Sequence, residues 1–540
     1  MPALTAVNTT LPPRLALLFA DLVNGERLPV ELNARGGLTV APRTVESVLR
    51  ILQLARAHGA SLSISDGGGP ADLIVDLSAH LNSIVRLDPT ARTVRVQAGA
   101  RISAVRAAAA QHGLAFLPQL AVPEDYTIAR ALHEGLLASG PMDERSDRTT
   151  LHAAVLVTYG GDLRRLGPLA KGGATDDPGP AGAELARSLR ALGDRYADQI
   201  RNRATAHASA IAGYDLEPLL PGHRVNLAQA LNGSQGTLGV VVELTCALEP
   251  AAAHRRYAVM GFADIAAAAA HSPFVQSFGP NRVAAFDVNF AEQLARTQPA
   301  ASVAGFPAGN AWLLAEFAAK TSAEATAGAE SLVEANSRRF VPVPSAIVDE
   351  PPPGKWFEWA NDFRSSQFLI SCELPDLAAF ITDTVDTARN DAFEISIRGD
   401  FGGSRVAVDV RHDTADEARG RLFDAAARAA VKHRGLVARA SGQGAECFER
   451  SASLFGSEMA RAFLEFASCF DPTGQMNPAA AQPPNRPPDR SASVDERPTE
   501  VIELEQALRT DAFVNAAANV GIAMLGGLFS FRFARWLRAR

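Results

Sequence analysis

Residues 231–250 read LNGSQGTLGVVVELTCALEP, and the reading of this stretch decides the fold. Gly233, Gly236 and Gly239 fall close together, and Val240 opens a run of apolar and β-branched residues. Glycine reaches left-handed backbone freely and lets another chain or a ligand come close, because no Cβ stands in the way. From the residues alone, this is a turn that enters a buried strand, with Cys246 as one of the strand's small buried side chains.

A second glycine turn stands far upstream, in residues 63–78, SISDGGGPADLIVDLS. Gly67, Gly68 and Gly69 separate two β-rich runs, ASLSIS and LIVDLS. Consecutive N–H groups without Cβ atoms can hold a phosphate, and a tight turn uses the same residues. No Lys-Ser or Lys-Thr pair follows, so this is not a P-loop, and the spacing is not GxGxxG.

The flanking pattern is regular. GLTVAP predicts a strand, and TVESVLRILQLARAHG predicts an amphipathic helix with Val45, Val48, Leu49, Leu52 and Leu54 on its apolar side. IVRLDPTARTVRVQAG predicts a hairpin turning at Asp88-Pro89-Thr90, and RISAVRAAAAQHGL a helix. Over residues 250–440, the strands RVAAFDV, AWLLAEF, FEISIRG and SRVAVDV alternate with helices such as DLAAFITDTVDTA, which predicts an α+β unit with an antiparallel sheet. Residues 445–480 read as helical and end in FDPTGQMNP, and residues 481–499 read as a Pro-rich flexible linker.

Bulk properties narrow the function. A chain of 540 residues has room for about two or three domains with real cores. A formal charge of −7 supplies no global basic field, which argues against nucleic acid as a partner. The four cysteines include no CxxC pair, which argues against a zinc site or an iron–sulfur cluster within the chain and fits a reducing compartment. No secretory signal is legible at the start. Near the end, AFVNAAANVGIAMLGGLFSF precedes the basic RFARWLRAR. Residues 512–540 read either as an Ala-rich helix docked on the body or a partner, or as a membrane-surface helix or tail anchor. The expected location is cytoplasmic, peripheral to the inner membrane if the tail meets lipid.

The series VAPRTVESVLRILQLARAHG, GGG, IVDLSAHLNSIVRLDPTARTVRVQAGA and QHGLAFLPQLAVPEDYTIA, followed by IAGYDLEPLL and residues 231–250, resembles the FAD-linked oxidase family of the vanillyl-alcohol-oxidase/p-cresol-methylhydroxylase superfamily. It is nearest the D-lactate/D-2-hydroxyglutarate dehydrogenase and glycolate oxidase branch. AWLLAEF, KWFEWANDF, SCELPDLAAFI and FDPTGQMNP are similar to that branch's substrate domain and C-terminal segment. The resemblance implies an α+β fold: a helical lead-in over residues 1–37, a two-subdomain FAD-binding, PCMH-type domain over 38–250, a substrate or cap domain with an antiparallel sheet over 251–480, a linker over 481–500, and a C-terminal helix over 501–540. It implies FAD as cofactor. Gly67, Gly68 and Gly69 would lie at the pyrophosphate, and Gly233, Ser234, Gly236, Thr237, Gly239 and Val240 at the adenosine half, with Pro42 marking the end of the opening strand.

Some positions depart from the resembled pattern. Asp66 and Asp72 flank the triple glycine, and each would repel a diphosphate by about 1 kcal/mol. In Thr127-Ile-Ala-Arg-Ala131 a second glycine motif is replaced, and Arg130 either bridges a phosphate or fills the space. Asp400 and Ala407 stand near the places where the branch carries histidines, Ala440-Ser-Gly442 stands for a Glu-His-Gly, and Trp359 for a substrate-binding arginine. Catalytic residues are therefore unassigned and no metal ligand is assigned. Arg364, Arg398 and Arg405 are either carboxylate clamps or ordinary strand and surface arginines, and His58, His112, His207, His223 and His433 read as solvent or core histidines.

The expected function is an FAD-binding oxidoreductase acting on a small D-2-hydroxy acid, with hydride passing from the substrate carbon to flavin. The alternative is a catalytically inactive relative that serves as a scaffold subunit of a flavin and iron–sulfur dehydrogenase complex. The expected partners are the hydroxy acid, an iron–sulfur or electron-acceptor subunit, and a membrane contact through residues 512–540.

Overall fold

A computed structural model describes residues 11–478 apart from 26, 34–35, 66–68, 118–121, 138–149, 169–179, 203–212, 221–225, 299–301, 349–355, 357–367, 373, 391–393, 403–404, 411–415, 434 and 440–455. Pro13 sits in the first turn of helix α1 (Pro13–Ala20), where a missing N–H costs nothing, and the helix buries Leu15, Leu18 and Phe19. A short strand, β1 (Val30–Leu32), follows, so the stretch read as a helical lead-in also contributes to a sheet.

β2 (Leu38–Val40) leads into α2 (Val45–Ala57). The Thr44 hydroxyl caps α2 by accepting from the Ser47 N–H at 3.2 Å, and Val48, Ile51, Leu52 and Ala55 form its buried stripe. Next come β3 (Leu62–Ile64) and β4 (Leu73–Val75), on either side of the triple glycine. β2 and β3 both run parallel to β4, in the order β1-β2-β4-β3.

The second subdomain opens with the expected hairpin, β5 (Ile84–Asp88) and β6 (Thr93–Gln97). Asp88 turns the chain, its Oδ1 accepting from the Thr90 and Ala91 N–H groups at 3.1 and 2.9 Å. Then follow α3 (Ile102–Ala110), β7 (Leu114–Ala115), α4 (Ile128–His133), β8 (Leu151–Val157), β9 (Leu163–Leu166), α5 (Pro180–Arg195), α6 (Ala197–Asn202), β10 (Val240–Ala247) and β11 (Glu249–Pro250). The sheet order is β5-β6-β10-β8-β9, with β7 and β11 paired apart from it. β10 runs through the middle: Val240, Val241 and Val242 are all buried, and from there buried Leu244 and Cys246 alternate with the partly exposed Glu243, Thr245 and Ala247.

The third layer is an antiparallel sheet of eight strands in the order β15-β12-β14-β13-β17-β18-β16-β19. Its elements in sequence are β12 (His254–Phe262), α7 (Ile265–Gln276), β13 (Arg282–Asp287), α8 (Val288–Thr297), β14 (Ala311–Ala319), α9 (Ser322–Ser337), β15 (Ser345–Val348), β16 (Phe368–Ser371), α10 (Leu374–Asn390), β17 (Ile395–Asp400), β18 (Arg405–Val410), α11 (Asp416–Lys432) and β19 (Leu436–Arg439). Alternate residues serve alternate faces. Val283, Ala285, Leu313 and Ile397 share a core with the apolar residues of α7, α9, α10 and α11. Ala284, Phe286, Trp312 and Leu314 form a separate cluster with Phe290 of α8 and with Trp356.

After α12 (Ser457–Ser468) the chain returns to its beginning. Met476 pairs in parallel with Leu62 of β3: the Leu62 N–H donates to the Gln475 carbonyl at 2.9 Å, and the Asn477 N–H to the Leu62 carbonyl at 2.6 Å. Among the described residues no helix is long and apolar enough to cross a membrane. The linker and the tail over 512–540 lie outside the described residues.

Candidate functional site

The glycines of residues 233–239 are required by their backbone. Gly233, Gly236 and Gly239 have φ of +79°, +72° and +146°, and Gln235 between them has +52°. A Cβ on Gly239 would lie 2.5 Å from the Val157 carbonyl oxygen, so close packing of β10 against β8 excludes any side chain there. A Cβ on Gly236 would meet only the His133 ring, at 3.7 Å or more, so at that position the dihedral alone selects glycine. The turn hangs from the C-terminal end of α4, whose carbonyls need donors. Leu132 accepts from the Gly233 N–H at 2.7 Å and His133 from the Gln235 N–H at 3.1 Å.

Thr237 closes the turn and ties it to the GYDL segment. Its hydroxyl donates to the Ser234 carbonyl at 2.7 Å, which uses its one proton. The Tyr214 phenol, 2.8 Å away, is therefore the donor to Thr237. Tyr214 is fully buried against Phe463 and Phe466 of α12, at ring separations of 5.9 and 4.9 Å, and burial raises its phenol above the usual range. Val240 then begins β10 opposite Val157.

At the triple glycine, Gly67, Gly68 and the adjoining Asp66 lie outside the described residues. The Gly69 N–H donates to Asn477 Oδ1 at 3.0 Å, and the Gly69 carbonyl accepts from Ser63 Oγ at 2.8 Å. Asn477 Nδ2 in turn donates to the Gln235 carbonyl at 2.5 Å. Pro42 is buried just past β2. Asp72 does not behave as the flanking anion expected from its position. Its carboxylate accepts from Arg14 at 3.0 and 3.1 Å and from the Ser61 N–H and Oγ at 2.9 and 3.0 Å, so its charge is paired within the fold.

In the altered second motif, Thr127 caps α4 by accepting from the Arg130 N–H at 3.1 Å. The Ile128 and Ala129 N–H groups are taken by the Ala100 and Ala98 carbonyls, both at 2.8 Å. Arg130 lies 3.9 Å over the Tyr126 ring while its Nε donates to Glu134 at 2.8 Å. Those contacts match the space-filling alternative.

On the sheet face that carries α8, Phe286 and Trp356 stack at 4.3 Å with 9° between their planes, and Trp312 lies 5.7 Å from Phe286. Arg398 is buried beside them, ion-paired to Asp409 and 4.7 Å above the Phe290 ring. Asp287 accepts from the Phe290 and Ile397 N–H groups, both at 2.8 Å, and burial pushes its carboxyl up to about 7. Asp400 accepts from the Gly402 N–H at 2.9 Å, and Ala407 sits opposite Arg398 on β18. Asp287 and Asp409 escaped the sequence reading, although an aspartate inside the apolar strand SRVAVDV is a signal that a cation lies on the neighbouring strand, here Arg398 diagonal to Asp409. Arg364, Trp359, Ala440–Gly442, His207 and His223 lie outside the described residues, as does the Arg405 side chain. His58 and His433 pair with Asp21 and Asp383, each at 2.7 Å. Among the described residues no group of three or more His, Cys, Asp or Glu could hold a metal ion.

Known proteins share this architecture. Residues 37–167 match the FAD binding domain, and residues 367–480 match the C-terminal domain of FAD linked oxidases. A D-2-hydroxyglutarate dehydrogenase of Pseudomonas putida is 31% identical over 185 residues, 34% of this chain and 18% of that protein, so the match spans less than a fifth of the relative's length. The 4-ethylphenol oxidase of Gulosibacter chungangensis aligns with a TM-score of 0.58 at 14% identity, over 88% of this chain and 100% of the other. p-Cresol methylhydroxylase aligns at 0.58 and 13%, over 88% and 97%. The last two establish the PCMH-type fold.

The residues present fit the cofactor of that fold. At Gly236 the backbone is left-handed, the place of a Cβ is bounded only by a ring at contact distance, and the N–H has no protein acceptor among the described residues. A left-handed glycine N–H with no Cβ beside it suits a phosphate oxygen or the polar edge of a purine. The chain is built from the FAD binding domain and the C-terminal domain of the FAD linked oxidases, in that order, and FAD is the cofactor its first domain holds.

Proposed function

We propose that the chain is an FAD-dependent dehydrogenase of a small D-2-hydroxy acid, of the D-lactate, D-2-hydroxyglutarate or glycolate kind. The observation that carries this reading is the joining of Gly69 to the Gly233–Gly239 turn by Asn477, beside a GYDL segment held to that turn by Tyr214 and Thr237. The D-2-hydroxyglutarate dehydrogenase relative supports the substrate class. Bound FAD supplies the hydride acceptor. The chain's own part is to hold the cofactor through Gly236 and its neighbours and to keep the sheet face beside Arg398 free of bulk water with Phe286, Trp312 and Trp356. With no CxxC pair in the chain, reoxidation falls to an outside acceptor, an iron–sulfur or other electron-carrying subunit. The test is anaerobic mixing of FAD-loaded protein with D-2-hydroxyglutarate, D-lactate and glycolate. Flavin bleaching by one of them supports the reading, and an unchanged flavin band with all of them overturns it.

A second reading is favoured by one observation. Arg398, the described arginine on the sheet face that could have clamped a substrate carboxylate, is ion-paired to Asp409. On this reading the chain keeps FAD and the scaffold but serves as a non-catalytic subunit of a dehydrogenase complex. Co-purification from its own cells decides between them: a stable complex whose turnover survives loss of this chain's flavin favours the subunit, and turnover by the isolated chain removes it.

A further inference from the structure

We propose that Asn477 is the positioning residue of the cofactor site, its single carboxamide holding Gly69 and the glycine–threonine turn at the separation that an extended dinucleotide requires. The proposal rests on the FAD reading. Asn477 Oδ1 takes the Gly69 N–H at 3.0 Å and Nδ2 gives to the Gln235 carbonyl at 2.5 Å. These partners are 408 and 242 residues away in the chain, so local backbone geometry ties neither turn to the other. One planar group fixes both distances at once, and asparagine is suited to this because it carries a donor and an acceptor side by side.

The residue is itself held on every side. The residue is 3% exposed, its φ of +43° is a left-handed conformation that asparagine tolerates, and its N–H donates to the Leu62 carbonyl at 2.6 Å. The loop before it is organised by Asp471. One carboxylate oxygen accepts from the Thr473 N–H, Thr473 Oγ1 and Gly474 N–H at 3.0, 2.6 and 3.1 Å, and the other from the Met476 N–H at 2.8 Å. FDPTGQMNP thus forms a rigid bracket that delivers one amide between two turns. A ligand spanning both turns gains affinity when they are ordered beforehand, because ordering them on binding would be charged against it. The C-terminal segment is in this sense part of the first domain's cofactor site.

The test uses the full chain, stripped of flavin, with Asn477→Ala and Asn477→Asp beside the wild type. The alanine removes both bonds. The aspartate is isosteric and keeps an acceptor for Gly69 but sets a carboxylate against the Gln235 carbonyl, so it carries the test if the alanine variant does not fold. FAD affinity is read by quenching of flavin fluorescence, the FAD-induced rise in Tm by calorimetry, and the turns by amide hydrogen exchange without FAD. The expected result is a loss of FAD affinity of about tenfold or more in both variants, a smaller FAD-induced rise in Tm, and faster exchange at Gly69 in the alanine variant. A residue that only stabilised the fold would lower Tm with and without FAD alike. FAD affinity within about twofold of wild type in both variants overturns the proposal. If the wild type itself takes up no FAD, the FAD reading fails and the affinity clause with it; unchanged exchange at Gly69 then removes the bracket too.

Discussion

The Tyr214 phenol donates to the Thr237 hydroxyl across 2.8 Å, and this bond makes one unit of two motifs separated by a poorly patterned stretch of chain. Replacing Tyr214 with Phe removes one buried hydrogen bond and leaves Thr237 bonded to Ser234, a loss of about 1 kcal/mol. Thr237→Val removes both bonds and strands the buried phenol, so it costs about 2–3 kcal/mol. Urea unfolding of the two variants checks the order, and equal costs would mean that the phenol has found another partner.

Gly239 and Gly236 differ in what they demand. Gly239→Ala places a methyl 2.5 Å from the Val157 carbonyl, which the pairing of β10 with β8 cannot relieve. The expected result is a loss of about 3 kcal/mol or more, or failure to fold. Gly236→Ala finds room and meets only its dihedral, which costs about 1–2 kcal/mol. Because Gly236 borders the proposed cofactor path, its variant should lose FAD affinity beyond what its thermal stability predicts. Calorimetry with and without FAD separates the two effects.

Asp287 makes stability depend on pH in an identifiable direction. Burial raises its carboxyl from the usual 3.8 to about 7. Between these values the folded chain holds a proton that the unfolded chain has lost, so this group favours folding most at the acid end. Its contribution falls as pH rises through about 4 to about 7 and is constant above that. Asp287→Asn removes the proton and should flatten the stability profile across that interval. Tm measured in steps across it checks the difference between variant and wild type, and parallel profiles would place the titration elsewhere.

The buried Arg398–Asp409 pair makes the fourth prediction. Asp409→Ala leaves a guanidinium inside the sheet face without its partner carboxylate, at a cost of about 3–5 kcal/mol. Arg398→Met with Asp409→Leu removes both charges and should recover most of that loss. A double-mutant cycle by chemical denaturation measures the coupling. If Asp409→Ala proves mild and instead creates an affinity for D-2-hydroxyglutarate, Arg398 is a latent substrate clamp.

Legibility followed how locally each feature is determined. The hairpin at Asp88 could be read because an aspartate accepting from the next two N–H groups is encoded within four residues. Helix α2 could be read from its apolar spacing, but Ile51 and Ala55 rather than Val45, Leu49 and Leu54 complete its buried stripe, and β10 could be read from its valine-rich opening. The single joined cradle could not be read, because Gly69, Gln235 and Asn477 meet only through tertiary folding. Asp72 was misjudged for the same reason: its proximity to the triple glycine is visible in sequence, but the Arg14 that neutralises it comes from the lead-in helix. The Phe286–Trp356 stack depends on two residues seventy positions apart and has no local signature.

The most direct measurement is the visible absorption spectrum of the purified full-length chain after incubation with FAD and removal of the unbound cofactor by gel filtration. Flavin bands that co-elute with the protein at one FAD per chain, and that fall sharply in Asn477→Ala, are the predicted result. A colourless wild-type protein that remains folded would contradict the assignment of the two glycine turns as an FAD cradle.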